Sequence, residues 1–273
     1  MINKKLKIIL VSTPIGFLGS GRGGGVELTI FSLIKGLISL GHQIILIAPK
    51  RSELPFESEN VEIKLVDGLD QPSWQHQSQS DPVLIPSNSV LPKLWEVVIE
   101  IANESDAVIN FAYDWLPLWL TKILKVKIFN LISMGAESLA MKEIIYDLSK
   151  QFPQRLAFHT KRQSKDYLLN GDPIIVGNGF DMENYNFNKN ENGPLGWAGR
   201  IAPEKGLEDA VKVATDLDEK LLVWGLIEDK EYASKIETTF RKGIIEWRGF
   251  LQTNKFQEQL GQCRAFINTP KWN

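Results

Sequence analysis

At 273 residues, with 43% hydrophobic and 23% charged residues, the chain has the composition of a globular protein long enough for two domains, which excludes wholesale disorder. A formal net charge of −2 argues against a nucleic-acid binder that works by phosphate neutralisation and points to a small-molecule partner. The single cysteine, Cys263, rules out an internal disulfide, fits a reduced cytoplasmic setting and is expected to be a buried structural thiol.

The first apolar run is strand-sized and stops at Thr13-Pro14, short of a signal-peptide core. No later stretch stays apolar for long enough to cross a bilayer, so no stable membrane association is expected. Lys7 to Ser12 reads as a buried strand, Val26 to Leu40 as an amphipathic helix ending at Gly41, and Gln43 to Ala48 as a second strand. Strand, helix, strand opens a parallel α/β sheet, with Val61–Val66 as its third strand. Residues 71–89 are polar and punctuated by proline, which predicts a long loop.

Alternation then resumes with a helix near Lys93–Asn103, a strand Ala107–Phe111, a helix near Leu116–Leu124, a strand Lys127–Ser133 and a helix about Glu137–Lys150. Short strands follow at Leu156–Thr160 and Ile174–Val176. The asparagine-rich segment Glu183–Gly193 reads as a linker, which divides the chain into an N-terminal Rossmann-like domain, 1–183, and a second domain, 184–273. The second half gives a strand Pro194–Ala198, helix Glu204–Thr215, strand Leu221–Trp224, helix Lys230–Phe240, strand Ile244–Trp247, helix Asn254–Cys263 and strand Ala265–Asn268.

The stretch Gly196-Trp-Ala-Gly-Arg-Ile-Ala-Pro-Glu-Lys-Gly206 carries the clearest chemistry. An apolar strand ends in Gly199-Arg200, and the pattern predicts a helix opening at Glu204 with Lys205 in its first turn. Helix N-termini favour anions, and Arg200 and Lys205 would add a bidentate fork and a point charge for a diphosphate. An ordinary strand-loop-helix with two surface cations is the plainer alternative.

Gly19-Ser-Gly-Arg-Gly-Gly24 fits G-x-G-x-x-G, and Lys50-Arg51 would suit an NADP 2′-phosphate, which keeps an NADP-dependent oxidoreductase as an alternative. Against it, Thr13-Pro-Ile-Gly-Phe-Leu separates the strand end from the glycines, where the fingerprint needs its first glycine at the turn itself. Tyr113, Asp114 and Trp115 fall at a strand's carboxyl end, where open α/β sheets bind ligands. Trp115 and Trp119 fit the core as well as a site, and Asp114 fits a helix cap as well as a binding carboxylate. Asp216-Leu-Asp218 has the D-x-D form of metal-dependent transferases but lies between a helix and a strand, and His42, His76 and His159 have no metal-ligand spacing. No metal site and no cofactor are expected.

The Gly196–Gly206 stretch resembles the donor diphosphate-binding motif of the family 4 retaining glycosyltransferases. Gly24-Gly25-Val26-Glu27 is similar to that family's N-terminal glycine-rich loop. The resemblance implies an α/β, GT-B architecture of two Rossmann-like domains. Donor contacts are then implied for Gly24, Gly25, Asn178, Gly199, Arg200 and Lys205, with Arg200 and Lys205 as the catalytic pair. Val11–Thr29, Asn110–Pro117, Leu131–Gly135 and Gly199–Ala210 together resemble the pteridine glucosyltransferases. These imply UDP-glucose as donor, a reduced pterin such as tetrahydrobiopterin as acceptor, an α-glucoside as product and an acceptor site that includes Glu27, Tyr113 and Asp114. Tyr113 stands where many relatives carry a histidine.

Ile267-Asn-Thr-Pro-Lys-Trp-Asn273 is similar to a segment that leads, in that family, into two glutamates holding the donor sugar and ribose. The second domain is therefore expected to be truncated, with an exposed sheet edge and little activity. Another small-molecule or lipid acceptor, or nucleotide-sugar binding without turnover, remains an alternative reading.

Overall fold

The computed structural model describes residues 4–74, 77–136, 138–182, 185, 188–189 and 192–271. It divides into two compact units, Met1–Phe180 and Asp181–Asn273. Glu183 and Asn184, at the expected boundary, lie outside the described residues, as do His76 and Glu137.

In the first unit the elements run β1 (Lys7–Val11), α1 (Gly25–Ser39), β2 (Gln43–Pro49), β3 (Val61–Val66), α2 (Val90–Ile101), β4 (Ala107–Asn110), α3 (Trp115–Ile123), β5 (Ile128–Ile132), α4 (Leu139–Gln151), β6 (Leu156–Phe158), α5 (Lys161–Ser164) and β7 (Ile174–Ile175). Among the described residues the strands form one sheet in the order β3-β2-β1-β4-β5-β6-β7, and every pairing is parallel. β1 is apolar throughout because both of its faces are covered. Ile9 and Val11 pack with the α2 residues Leu91, Leu94 and Trp95, while Ile8 and Leu10 pack with Ile30 and Ile34 of α1. The chain builds outward from β1 through β2 and β3, then returns to β1's other side with β4. The strand order therefore switches between β1 and β4, and their carboxyl ends flank the crevice where such sheets take ligands.

Local chemistry sets the helix ends. α1 stops in a Schellman arrangement, with Gly41 N–H on the Ile38 carbonyl at 2.9 Å and His42 N–H on the Leu37 carbonyl at 3.1 Å. α2 begins at Val90, three residues before the expected Lys93, because the Ser89 hydroxyl caps it by accepting the Leu91 N–H, and Pro92 is tolerated in a first turn. The short α5, capped by Thr160, has no counterpart among the expected elements.

The second unit contains β8 (Leu195–Ala198), α6 (Leu207–Asp216), β9 (Leu221–Trp224), α7 (Lys230–Thr239), β10 (Ile245–Gly249), α8 (Thr253–Leu260) and β11 (Ala265–Phe266). Its described strands form a parallel sheet in the order β10-β9-β8-β11, with its own switch between β8 and β11. Trp197, Leu207, Val211, Val223 and Ile236 lie in its core.

α6 opens at Leu207, not Glu204, and Lys205 is not in its first turn. Pro203–Lys205 forms a separate 3-10 turn, after which Gly206 takes a left-handed conformation (φ 63°) and caps α6. A β-carbon at Gly206 would meet the Thr269 carbonyl oxygen at 2.0 Å, so the break depends on a residue with no side chain.

Candidate functional site

At the carboxyl end of β1 the glycine loop is organised from within. Glu27, in the first turn of α1 and 5% exposed, accepts the Gly19 N–H at 2.7 Å and the Gly23 N–H at 2.9 Å, with the Gly21 N–H at 3.4 Å and the Ser20 hydroxyl at 3.3 Å. The amides of Gly19 and Gly21, two glycines of the dinucleotide-like pattern, thus serve this carboxylate, while the Gly24 N–H donates to the Gly21 carbonyl at 3.3 Å. Gly24 caps α1 and Gly25 is its first residue. The loop is also tied to the segment before α2, through Arg22 to Asp70 at 2.5 Å and the Gln71 N–H to the Pro14 carbonyl at 2.9 Å.

β4 delivers Tyr113 and Asp114 to the neighbouring strand end. Two buried asparagines fix this exit: Asn110 brackets Ala112 with bonds to its N–H and carbonyl, both at 3.0 Å, and donates to Asn130 on β5 at 2.9 Å. The Tyr113 hydroxyl is buried, bonded to the Gly135 carbonyl at 3.1 Å and to the Tyr167 hydroxyl at 2.9 Å.

Asp114 is 1% exposed and caps α3, its Oδ1 accepting the Trp115 N–H at 2.7 Å. Oδ2 is buried with no hydrogen-bond partner. Trp74, from the long loop before α2, is buried with Tyr113 in the same cluster, and its indole N–H favours the carboxylate without completing a hydrogen bond. Burial dominates and pushes the Asp114 pKa from 3.8 up to about 6. Gln71, at the start of that loop, accepts from the Ser89 hydroxyl at 2.8 Å, so the loop is anchored at both ends.

In the second unit, Arg200 leaves the carboxyl end of β8 and lies between two carboxylates. Nη1 is 2.8 Å from Glu228 Oε2, and Nη2 is 3.3 Å from Glu204 Oε1. The loops after β8 and β9 are zipped together by main-chain bonds: Gly199 N–H to Trp224 carbonyl, Ile201 N–H to Leu226 carbonyl, and the Glu228 and Asp229 amides to Ile201 carbonyl. Gly225, at φ 144°, allows this approach, since a β-carbon there would stand 1.8 Å from the Gly199 oxygen. Lys205 shares this environment. Burial, then the Arg200 guanidinium, lowers its pKa, while Glu204 and Glu228 raise it.

The segment after β11 completes the surroundings. The Thr269 hydroxyl donates to the Gly206 carbonyl at 2.7 Å and accepts the Trp197 indole N–H at 3.1 Å, while the Lys271 N–H donates to the Glu204 carbonyl at 2.8 Å. Glu228 was not singled out by the sequence, and Thr269 entered only as part of the Ile267–Asn273 stretch. The Gly225-Leu-Ile-Glu228 run directly after a strand was the available signal.

Asn178 is exposed in irregular chain after β7. Asp218 pairs with Arg241 in the turn after α6. The His42 ring accepts the Leu6 N–H, and the His159 ring meets the Gly177 carbonyl. Cys263 is a half-buried free thiol whose pKa burial raises. Trp115 and Trp119 stack at 5.9 Å, with Trp119 39% exposed. Among the described residues no group of three potential ligands could hold a metal ion, and no helix is long and apolar enough to cross a membrane.

No protein-family model matches the chain, and no curated protein does. Solved structures do. AviGT4, a glycosyltransferase involved in avilamycin A biosynthesis, aligns with a TM-score of 0.66 at 15% identity, over 97% of this chain and 69% of its own. A UDP-forming α,α-trehalose-phosphate synthase from Burkholderia xenovorans aligns at 0.59 and 12% identity, over 99% of this chain and 79% of its own. UGT89C1 of Arabidopsis thaliana, complexed with UDP-L-rhamnose, aligns at 0.52 and 12% identity, over 93% and 72% respectively. At these identities the likeness is one of fold: the chain has the mixed α/β, Rossmann-like fold of the GT-B glycosyltransferases.

Proposed function

We propose that the chain is a family 4 retaining glycosyltransferase that takes glucose from UDP-glucose and transfers it to a reduced pterin, such as tetrahydrobiopterin, to give an α-glucoside. The observation that carries this reading is the meeting of Arg200 and Lys205 at the carboxyl end of β8, beside the strand-order switch of the second sheet. Added support comes from the fold neighbours, one of which is UDP-forming and another complexed with a UDP-sugar.

In this reading Arg200 and Lys205 hold the donor diphosphate and stabilise the charge that builds on it as the glycosidic bond breaks. Retention follows from front-face attack, the acceptor hydroxyl arriving on the side from which the nucleoside diphosphate leaves and passing its proton to the departing phosphate. No metal takes part, and the cytoplasm is the expected compartment. For the acceptor, the unpaired Asp114 Oδ2 offers an acceptor for a ring N–H beside the aromatic faces of Trp74 and Tyr113.

Product analysis with UDP-glucose against reduced pterins, simple alcohols and lipids tests the proposal, and a glucosylated pterin as the preferred product is the expected result. A lipid acceptor is the second reading, favoured by the exposed Trp119 and Ile123 beside exposed Lys125 and Lys127. Sedimentation with anionic liposomes separates the two.

A further inference from the structure

Arg200, Lys205, Glu204 and Glu228 form a compact quartet whose formal charges cancel. Both nitrogens at the tip of the Arg200 guanidinium are engaged by carboxylates, Nη1 at 2.8 Å and Nη2 at 3.3 Å. Each terminal nitrogen thus spends a contact on a carboxylate that a planar fork could otherwise give to a phosphate. A diphosphate arriving here meets, in these four side chains, formal charges that cancel, and it competes with the carboxylates for the guanidinium. The shorter contact belongs to Glu228, whose main chain is held to Ile201 by its own N–H and that of Asp229. Its backbone cannot withdraw without breaking the junction of the β8 and β9 loops. Its side chain is 31% exposed, so the carboxylate can turn out into water.

We propose that Glu228 is an internal competitor for the anion site: in the unliganded protein it holds the Arg200 guanidinium in the place of a ligand phosphate, and it sets a ceiling on affinity for nucleoside diphosphates. The inference rests on the reading of Arg200 and Lys205 as diphosphate contacts. It adds that affinity is restrained by this chain's own carboxylate. Release of the diphosphate product is then assisted, because Glu228 returns to Arg200 as the phosphate leaves. Like-charge repulsion between Glu228 and the bound phosphate acts in the same direction.

Calorimetric titration of the full chain with UDP tests this, with uridine as the probe that lacks phosphates. Glu228→Gln keeps the size and a hydrogen-bonding oxygen but removes the charge, and is expected to bind UDP roughly two- to fivefold more tightly, the range set by a partly exposed ion pair. Uridine affinity stays unchanged. In the Arg200→Ala background the same substitution brings no gain, because the competition is for Arg200.

UDP binding that is unchanged or weaker in a folded Glu228→Gln protein overturns the proposal and makes Glu228 a support for Arg200. A gain that survives without Arg200 overturns it equally. If Arg200→Ala alone leaves UDP binding intact, the diphosphate reading itself fails, an outcome visible without any Glu228 variant. Should Glu228→Gln not fold, Glu228→Asp, which withdraws the carboxylate by one methylene, is expected to shift UDP affinity in the same direction.

Discussion

The Glu27 carboxylate accepts the backbone N–H of Gly19, eight positions earlier, at 2.7 Å, closing the glycine loop onto the first turn of α1. Because the same carboxylate also takes the Gly21 and Gly23 amides, the loop's shape depends on one buried charge. We predict that Glu27→Ala lowers stability by about 2–4 kcal/mol, since it strands several donors at once. Urea denaturation measures the loss, and a change below about 0.5 kcal/mol would show that the loop holds its shape without Glu27.

The second unit has a backbone hinge at Gly206. Its left-handed conformation separates the Pro203–Lys205 turn from α6, and the Thr269 carbonyl lies where a β-carbon would project. Gly206→Ala is therefore expected to lower the melting temperature of the second unit, with a conformational cost of about 1–2 kcal/mol before the clash is counted. It should also weaken UDP binding, because Lys205 precedes the hinge. A variant as stable as the parent would mean that the turn relaxes into a continuous helix.

Much of this architecture is legible in the sequence. β3 and β9 have the bounds their alternating and apolar runs predict, and α1 ends where Gly41 says it should, because a strand and a helix C-terminus are written in consecutive residues. The start of α6 is not. Pro203-Glu-Lys-Gly reads locally as a helix opening, and the partner that fixes Gly206 is Thr269, 63 residues away. Arg200 was visible as a cation at a strand end. Its pairing with Glu228, 28 residues on, comes from the parallel β8–β9 register and has no local signature. Asp114 was legible as a cap or as a site carboxylate. The fold uses Oδ1 for the cap and leaves Oδ2 unpaired.

Arg200 and Lys205 give the third prediction. In the proposed donor site each contributes charge-assisted bonds to the diphosphate, so Arg200→Ala and Lys205→Ala should each weaken UDP binding by about 1.5–3 kcal/mol. Uridine binding should change little. In the proposed site these cations take the place of a divalent ion, so UDP affinity is expected to be the same in EDTA as in magnesium or manganese. A requirement for added metal would transfer the diphosphate-binding role away from the two side chains.

The last prediction concerns Asp114 and pH. Burial raises its pKa from 3.8 to about 6, so the folded protein holds this proton more tightly than the unfolded chain does. Between those two values the native state carries the extra proton, and linkage then requires stability to fall as pH rises. The contribution is fully present below about pH 4, is lost as pH rises through 6 and is flat above it. A shift of this size corresponds to on the order of 3 kcal/mol. Asp114→Asn keeps an oxygen to cap α3 and carries no charge to bury, so it should remove this pH dependence. Subtracting the two proteins' unfolding free energies from pH 4 to pH 7.5 isolates the effect from other carboxylates. The expected difference moves steadily in favour of the asparagine variant as pH rises to about 6 and then levels off. If it is independent of pH over that window, Asp114 titrates as an ordinary carboxyl, and its Oδ2 must meet water or a polar partner in solution.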